Sequence, residues 1–431
     1  MRFLYVAPRY HTNQADIMKG LTEHGHEVCF ISHYAAIIED YSYVKPVVLG
    51  YSRLYQILDY LYVHVIHRKR PEAIVFKIQH GFPPMHRLKK LITGFAPDVV
   101  ILRERSVYSM AAYLICRKKG YPCILYNQNP MWSEPVKTDL AHRIVGSLSP
   151  KMRMTPVMGV QKPGTSIKEN DFFVPFVVEP RRAPEERTYF SEDTIHILCI
   201  GKYEPRKHHL MLLQVVEELL GKMTGAEAVP DIVLCTAEGK VGHGGNTMRM
   251  DDGLRSTGKQ GCLKLHLTLI GEATMQFQKE NCEKVRQYVA EHHMQDVVTV
   301  KTNVPRSEME KEYLAADLYV IPSTREMASV SQLEAMSYSL PVICSDANGT
   351  ACYVEDGVTG YLFKDCDRES LQEKLAEMLS DRERMKIMGA AGYRALSEKY
   401  NYEQYYEKIL EIMRQSGKRK EGHRRSENTK N

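Results

Sequence analysis

The chain has 431 residues, of which 43% are hydrophobic and 26% charged, ordinary values for a soluble globular protein, and its length suggests two or three domains. No stretch reaches the ~18 consecutive apolar residues of a membrane helix, and the opening apolar run, Phe3 to Ala7, is too short for a signal peptide. The ten cysteines are scattered, with no C-x-x-C pair, which speaks against a disulfide framework or a zinc site; a cytoplasmic protein is expected.

Net charge is +5, but it is unevenly placed: residues 61–120 hold twelve Lys and Arg against three acids, and residues 414–431 hold seven against two. Basic clusters meet nucleic acid, phosphorylated substrates or an anionic membrane surface. A solvated face is an equal reading for 61–120, and a disordered basic tail is expected over 416–431.

In chain order, Phe3–Ala7 reads as a strand, about 14–24 as a helix and Glu27–Ser32 as a strand. A helix near 52–68, a strand 73–77, a helix 85–93, a strand Asp98–Leu102, a helix 107–119 and a strand 123–127 come next. Strands alternating with helices predict a parallel sheet covered on both faces. The proline-rich stretch 150–190 reads as a connector, with strand-like pieces such as Phe172–Val178 and a linker near 180–193. The alternation then restarts: strand His196–Gly201, helix 207–221, strand Leu265–Gly271, helix 275–293, strand Val297–Lys301, a short helix near 306–315 and strand Asp317–Pro322. Helix 330–339, strand Pro341–Ser345 and helices near 368–379 and 382–399 complete it. An amphipathic helix over 403–414 carries Tyr405, Ile409 and Ile412 on one stripe. The fold class is therefore α/β, with two Rossmann-like doubly wound domains, 1–180 and 194–400. Residues 239–262, with seven glycines, read as a flexible insertion; no Gly-Lys-Ser/Thr makes Val241–Gly245 a Walker loop.

The constellation with the most chemistry is Glu326-Met327-Ala328-Ser329-Val330-Ser331-Gln332-Leu333-Glu334, which leaves a strand and enters a helix. Glu326 can accept hydrogen bonds from sugar hydroxyls, and Glu334, about two turns on, can hold a ribose diol. The helix start around Ser329, Val330 and Ser331 offers backbone N–H groups to a diphosphate. On spacing alone, two surface glutamates are the better explanation of the pair. The residues downstream of the pair decide otherwise: Pro341-Val342-Ile343-Cys344-Ser345-Asp346, then Asn348-Gly349, then Glu355-Asp356-Gly357-Val358-Thr359-Gly360-Tyr361-Leu362.

The stretch from about 264 to 363 resembles the C-terminal domain of GT-B-fold glycosyltransferases of family 4, the glycosyl transferases group 1 type. E-x7-E, EAM-x4-PVI and a D-G-x-T-G-x-L turn stand in that order. Gly201-Lys202-Tyr203-Glu204-Pro205-Arg206-Lys207 is similar to the family's G-R-x…K loop, and Gly25-His26-Glu27-Val28 matches more weakly. The resemblance implies two domains facing across a cleft and a helix over 401–415 returning to the first. It implies donor contacts from Glu326, Glu334, Lys207, Lys202 and Arg206, with Gly201 and Gly271 lining the donor site. Lys202 stands where the family has arginine and lacks its bidentate fork.

On the acceptor side, Thr12-Asn13 stand near the place of the family's Gly-Gly loop, and Asn tolerates left-handed backbone. Gln128 stands where the family has a histidine and cannot act as a base. Arg103 and Arg105 end a strand and suit an acidic or phosphorylated acceptor; a surface Arg-Glu-Arg is an equal reading. Asp365-Cys366-Asp367 has D-x-D form, but Asp367 reads as a helix N-cap. His208 and His209 are adjacent and make a poor metal pair. His11 has a structural reading at least as good as a functional one.

The implied reaction is glycosyl transfer with retention from a UDP- or GDP-type sugar to a glycan or lipid-linked acceptor. No metal and no cofactor are expected, and the enzyme would work in cell-surface polysaccharide or glycolipid synthesis. The basic segment 61–120 would suit an anionic inner membrane face. The alternative is a catalytically silent GT-B partner or scaffold subunit. A nicotinamide-dependent Rossmann enzyme is excluded, because no strand opens onto G-x-G-x-x-G.

Overall fold

The computed structural model describes residues 1–35, 41–62, 79–103, 106–133, 140–191, 194–224 and 264–428. The expected strand 73–77, Arg105 and the insertion 239–262 lie outside the described residues. The chain divides into two compact units, one of Met1–Val178 with Lys399–Asn431 and one of Glu179–Glu398.

β1 (Arg2–Ala7) is an apolar run that becomes an inner strand of a seven-stranded sheet. With β2 (Glu27–Ser32), β3 (Val47–Val48), β4 (Val99–Arg103), β5 (Cys123–Tyr126), β6 (Arg153–Thr155) and β7 (Asp171–Phe173), the order is β3-β2-β1-β4-β5-β6-β7. All pairings are parallel. Successive residues of a strand point to opposite faces, and β1 divides accordingly. Phe3, Tyr5 and Ala7 join one core with Val99 and Ile101, whereas Leu4 and Val6 join another with Val100 and Leu102. The first core is closed by α1 (Ala15–Glu23) and by Tyr402, Tyr405, Ile409 and Ile412 of α12 (Tyr402–Asn428). The second is closed by Leu88 and Ile92 of α3 (Met85–Phe95) and by Tyr108, Ala111 and Ala112 of α4 (Val107–Lys119). Tyr5 and Tyr405 share a hydroxyl–hydroxyl bond of 2.8 Å. A Cβ on Gly20 would lie 2.3 Å from the Tyr402 ring, so only glycine lets α12 lie so close to α1.

Two expectations are corrected here. The connector 150–190 supplies β6 and β7, which complete the first sheet; strands of three residues are too short to show an alternating pattern. The C-terminal helix continues to Asn428, through the stretch expected to be disordered. That stretch has no proline and is rich in Lys, Arg and Glu, which propagate a helix already nucleated by packing. Shorter elements also escaped the sequence reading, namely β3 and α5 (Leu140–Ser147).

In the second unit, β8 (Thr194–Ile200), β9 (Lys264–Gly271), β10 (Val298–Thr302), β11 (Leu318–Ile321), β12 (Val342–Ser345) and β13 (Gly360–Phe363) form a parallel sheet ordered β10-β9-β8-β11-β12-β13. Its helices are α6 (His209–Thr224), α7 (Gln276–Glu291), α8 (Met309–Ala315), α9 (Val330–Ser337), α10 (Arg368–Leu379) and α11 (Arg382–Lys399). The order reverses between β8 and β11. In open α/β sheets such a reversal leaves a crevice at the carboxyl ends of the two strands.

Candidate active site

The loops leaving β8 and β11 bring the sequence-predicted residues together. After β8 the chain passes Gly201, whose N–H donates to the Ile270 carbonyl at 2.9 Å. A Cβ there would press on Lys207 Cδ at 3.1 Å, and a Cβ on Gly271 would lie 2.4 Å from the Gly201 carbonyl oxygen. The two glycines thus let the 3-10 turn Pro205–Lys207 fold down onto the strand ends, and Lys207 is buried there.

After β11 the loop holds Arg325 in the left-handed region, at φ 49°, and then Glu326. One oxygen of Glu326, Oε2, accepts from both Lys207 Nζ and Arg206 Nη1, the latter at 2.5 Å. Arg206 Nε also donates to Glu204 at 2.8 Å. Burial works against the Arg206 charge, but the Glu326 and Glu204 carboxylates outweigh it and raise its pKa. The Thr324 N–H donates to the Arg206 carbonyl at 2.9 Å, tying the two loops together.

Four residues seat this loop. Gly349 N–H donates to the Glu326 carbonyl at 2.8 Å, and a Cβ on Gly349 would lie 1.8 Å from the Met327 carbonyl oxygen. Asn348, Gln332 and Thr350 form a buried polar network behind it. Gln332 Nε2 donates to the Thr350 carbonyl at 2.9 Å, and Asn348 Nδ2 donates to Gln332 Oε1 at 3.3 Å. Asn348-Gly349 stood out in the sequence only as part of a familiar order; its work is to hold Glu326 in place.

Ser329 is the N-cap of α9 and Val330 its first residue. The first N–H groups of a helix lack intrahelical partners, so this end points donors and the positive end of the helix dipole into the crevice. Ser331 Oγ lies 2.7 Å from the Tyr319 hydroxyl and 3.2 Å from Ser329 Oγ. Further along α9, Glu334 Oε1 pairs with Arg306, and Oε2 accepts from the Tyr313 hydroxyl at 2.7 Å. Burial first, then the Glu334 charge, pushes the Tyr313 pKa far up, so the phenol stays a donor. Arg306 and Tyr313 carried no motif in the sequence; they reach Glu334 from the β10–α8 loop and from α8.

Lys202 departs from expectation. It pairs with Glu272 at 3.1 Å on the surface and does not share the Lys207–Glu326 cluster. Asp367 caps α10, accepting from Ser370 N–H at 3.0 Å. Asp365 instead accepts from Thr324 and Ser345 hydroxyls, each at 2.7 Å. Burial would raise its pKa, but those hydrogen bonds outweigh burial and lower it. His208 and His209 diverge: the former, at φ 50°, approaches Cys366 at 3.8 Å, and the latter is buried against Tyr203. Among the described residues no cluster of His, Cys, Asp and Glu could hold a metal ion.

In the first unit the strand order reverses between β1 and β4. A small cavity at that point is lined by Tyr5, Asn13, Arg103, Tyr126, Met154 and Tyr405, among others. Arg103 lies over the Tyr126 ring at 5.5 Å, and Gln128 Nε2 donates to the Tyr126 hydroxyl at 3.4 Å. Thr12 and Asn13 do not form a left-handed loop. They lie in a 3-10 turn, Thr12–Gln14, closed by Gln14 N–H on the His11 carbonyl at 2.9 Å. The polar side chain of Gln14, which accepts from His11 N–H at 3.1 Å, favours that closure over a glycine-like turn. His11 Nε2 accepts from Arg9 Nε at 3.1 Å.

Comparison with known proteins matches part of the second unit to a family. Residues 259–395 match the family described as glycosyl transferases group 1. A sulfoquinovosyl transferase of Arabidopsis thaliana is 38% identical over 98 residues, 22% of this chain and 19% of that protein. An alpha-maltose-1-phosphate synthase of Mycolicibacterium smegmatis is 32% identical over 124 residues, 27% of this chain and 32% of that protein. The chain thus spans about a fifth to a third of the length of these relatives. Across nearly the whole chain the fold is that of solved glycosyltransferases. A glycosyltransferase of Rickettsia africae superposes with a TM-score of 0.64 at 12% identity, over 95% of this chain and 97% of that one. Anabaena HepE, solved with UDP-glucose, gives 0.62 at 10% identity, over 96% and 100%. The chain therefore has the GT-B fold, and residues 259–395 within it match glycosyl transferases group 1.

Proposed function

We propose that this chain is a glycosyltransferase of family 4 that moves a hexosyl group from a nucleoside-diphosphate sugar to a glycan or lipid-linked acceptor, with retention. The observation that carries the reading is the placement of Lys207, Arg206 and Glu326 at the β8/β11 reversal, beside the N-terminus of α9. A diphosphate competes with Glu326 for the two cations. Its arrival frees the carboxylate to accept hydrogen bonds from the donor sugar. Glu334, about one turn into α9, accepts hydrogen bonds from the ribose.

The acceptor oxygen forms a bond to the anomeric carbon while the bond to the diphosphate oxygen breaks. The departing diphosphate takes the acceptor's proton. Lys207, Arg206 and the α9 N–H groups stabilise the charge that develops on it, and the loss of one such donor costs about 10²–10³ in rate. These groups supply positive charge without a metal. Among the described residues no helix is long and apolar enough to cross a membrane. The acceptor side is read at the cavity of Asn13, Arg103 and Tyr126, where Arg103 suits an acidic or phosphorylated group.

A panel of UDP- and GDP-sugars, scored by release of nucleoside diphosphate, tests this. At least one donor is expected to turn over, and Glu326→Ala is expected to abolish it. Undiminished turnover in that variant overturns the assignment; no binding of any nucleotide favours a catalytically silent partner subunit.

A further inference from the structure

α2 (Arg53–Leu61) is amphipathic in the wrong sense for a helix of a folded core. Leu54, Ile57, Leu58 and Leu61 recur at i, i+3, i+4 and i+7, the spacing of one helix face, yet they are 69%, 59%, 55% and 45% exposed. The residues turned toward the protein are Tyr55 and Asp59, both partly buried, and Tyr55 packs on Tyr51 with ring centroids 5.4 Å apart. No residue of α2 is fully buried. A nine-residue helix has little stability of its own. This one is anchored at its start, where the Ser52 hydroxyl accepts from Tyr55 N–H at 3.2 Å and Ser52 N–H donates to the Phe82 carbonyl at 2.8 Å.

That last bond sets the start of α2 beside the turn that opens α3, where Phe82 and Met85 are also exposed. α3 then shows Arg87, Lys89 and Lys90 to solvent, and residues 79–95 contain no acid. An outward apolar stripe whose start is hydrogen-bonded to a basic, acid-free segment, with Tyr60 and Tyr62 exposed at its far end, suits a helix that lies in an anionic lipid interface. A second copy of the chain fits less well, since a symmetric contact would set Lys89 and Lys90 against their own copies.

We propose that α2 and the start of α3 form a docking surface for an anionic lipid bilayer, with Leu54, Ile57, Leu58 and Leu61 in the interface and Lys89 and Lys90 on the headgroups. The inference rests on the glycosyltransferase reading only in its purpose, which is to bring the acceptor side of the chain to a lipid-linked acceptor. It is tested separately.

The test is sedimentation of the full chain with vesicles of phosphatidylcholine alone or with about 30% of the anionic lipid phosphatidylglycerol, whose surface potential attracts basic residues. Binding to the anionic vesicles is expected. Leu54→Ser/Ile57→Ser/Leu58→Ser should weaken it about 100-fold or more, from three apolar side chains lost to the interface. Lys89→Gln/Lys90→Gln should weaken it about tenfold and flatten its salt dependence. The exposed stripe predicts unchanged thermal melting for both variants, and donor hydrolysis in detergent should also be unchanged. Equal binding by wild type and the triple-serine variant overturns the proposal, as does equal binding to neutral vesicles. So does a concentration-dependent dimer that the triple-serine variant abolishes, which would make this face a self-interface. Failure of donor hydrolysis with intact vesicle binding counts against the catalytic reading alone.

Discussion

Lys207 and Glu326 stand 119 residues apart in the chain and meet in one ion pair. Each belongs to a loop whose sequence pattern was legible, G-x…K after β8 and E-x7-E after β11. Their meeting required the sheet order, which no local pattern states. Lys207→Ala is expected to lower turnover by about 10²–10³, read as kcat with saturating donor. Gly349→Ala is expected to displace the Glu326 loop, because its Cβ would fall 1.8 Å from the Met327 carbonyl oxygen. Overpacking of this kind costs about 1–3 kcal/mol, and a lower melting temperature with weaker donor binding would register it. Arg306 and Tyr313 hold both oxygens of Glu334, yet leave lone pairs for a diol, since a carboxylate accepts about four hydrogen bonds. Arg306→Ala should therefore reduce the preference for a nucleoside diphosphate over its 2′-deoxy analogue by about tenfold. An unchanged preference in a competition titration would remove Arg306 from that role. Neither residue was visible beforehand, because a side chain that orients another leaves no motif.

At the scale of elements, long helices and most strands of four or more residues were read closely, and strands of two or three residues were not. α10 and α11 occupy 368–379 and 382–399, the ranges the apolar periodicity indicated, because twelve or more residues sample three turns of a face. β6 and β7, with three residues each, take their identity from the neighbouring strand and carry no periodicity of their own. α12 was recognised by Tyr405, Ile409 and Ile412 and ends beyond its expected limit, since packing nucleates a helix that charged residues then extend. Ile409 is fully buried in the core that α12 shares with β1. Ile409→Ala is expected to cost about 2–5 kcal/mol, measured by denaturant unfolding. A loss below about 0.5 kcal/mol, the range of a surface substitution, would show that α12 is not part of that core.

Across the whole molecule, two buried histidines make stability depend on pH. Burial lowers His33 and His209 to about 3 from the ordinary 6.5, with the Lys207 and His208 charges adding to the effect at His209. Both are neutral in the folded protein above that value. The unfolded chain takes up protons from about pH 6.5 downward while the folded chain does not, so stability is full above pH 6.5 and falls steadily toward pH 3. Each histidine contributes at most about 1.4 kcal/mol per pH unit in that window. Melting temperature should drop from pH 6.5 to 4.5, and His33→Phe should flatten the decline; a decline of the same slope in that variant would assign it to other groups.

The central claim is that Lys207, Arg206, Glu326 and the start of α9 form a diphosphate site. Calorimetric titration of the full chain with UDP and GDP, for wild type and Lys207→Ala, tests it most directly. Lys207 is expected to contribute a charge-assisted hydrogen bond worth about 1.5–3 kcal/mol. At least one nucleoside diphosphate should then bind the wild type, and bind the variant about 10- to 100-fold more weakly. Equal affinity in the two proteins, or no binding to the wild type, would contradict it.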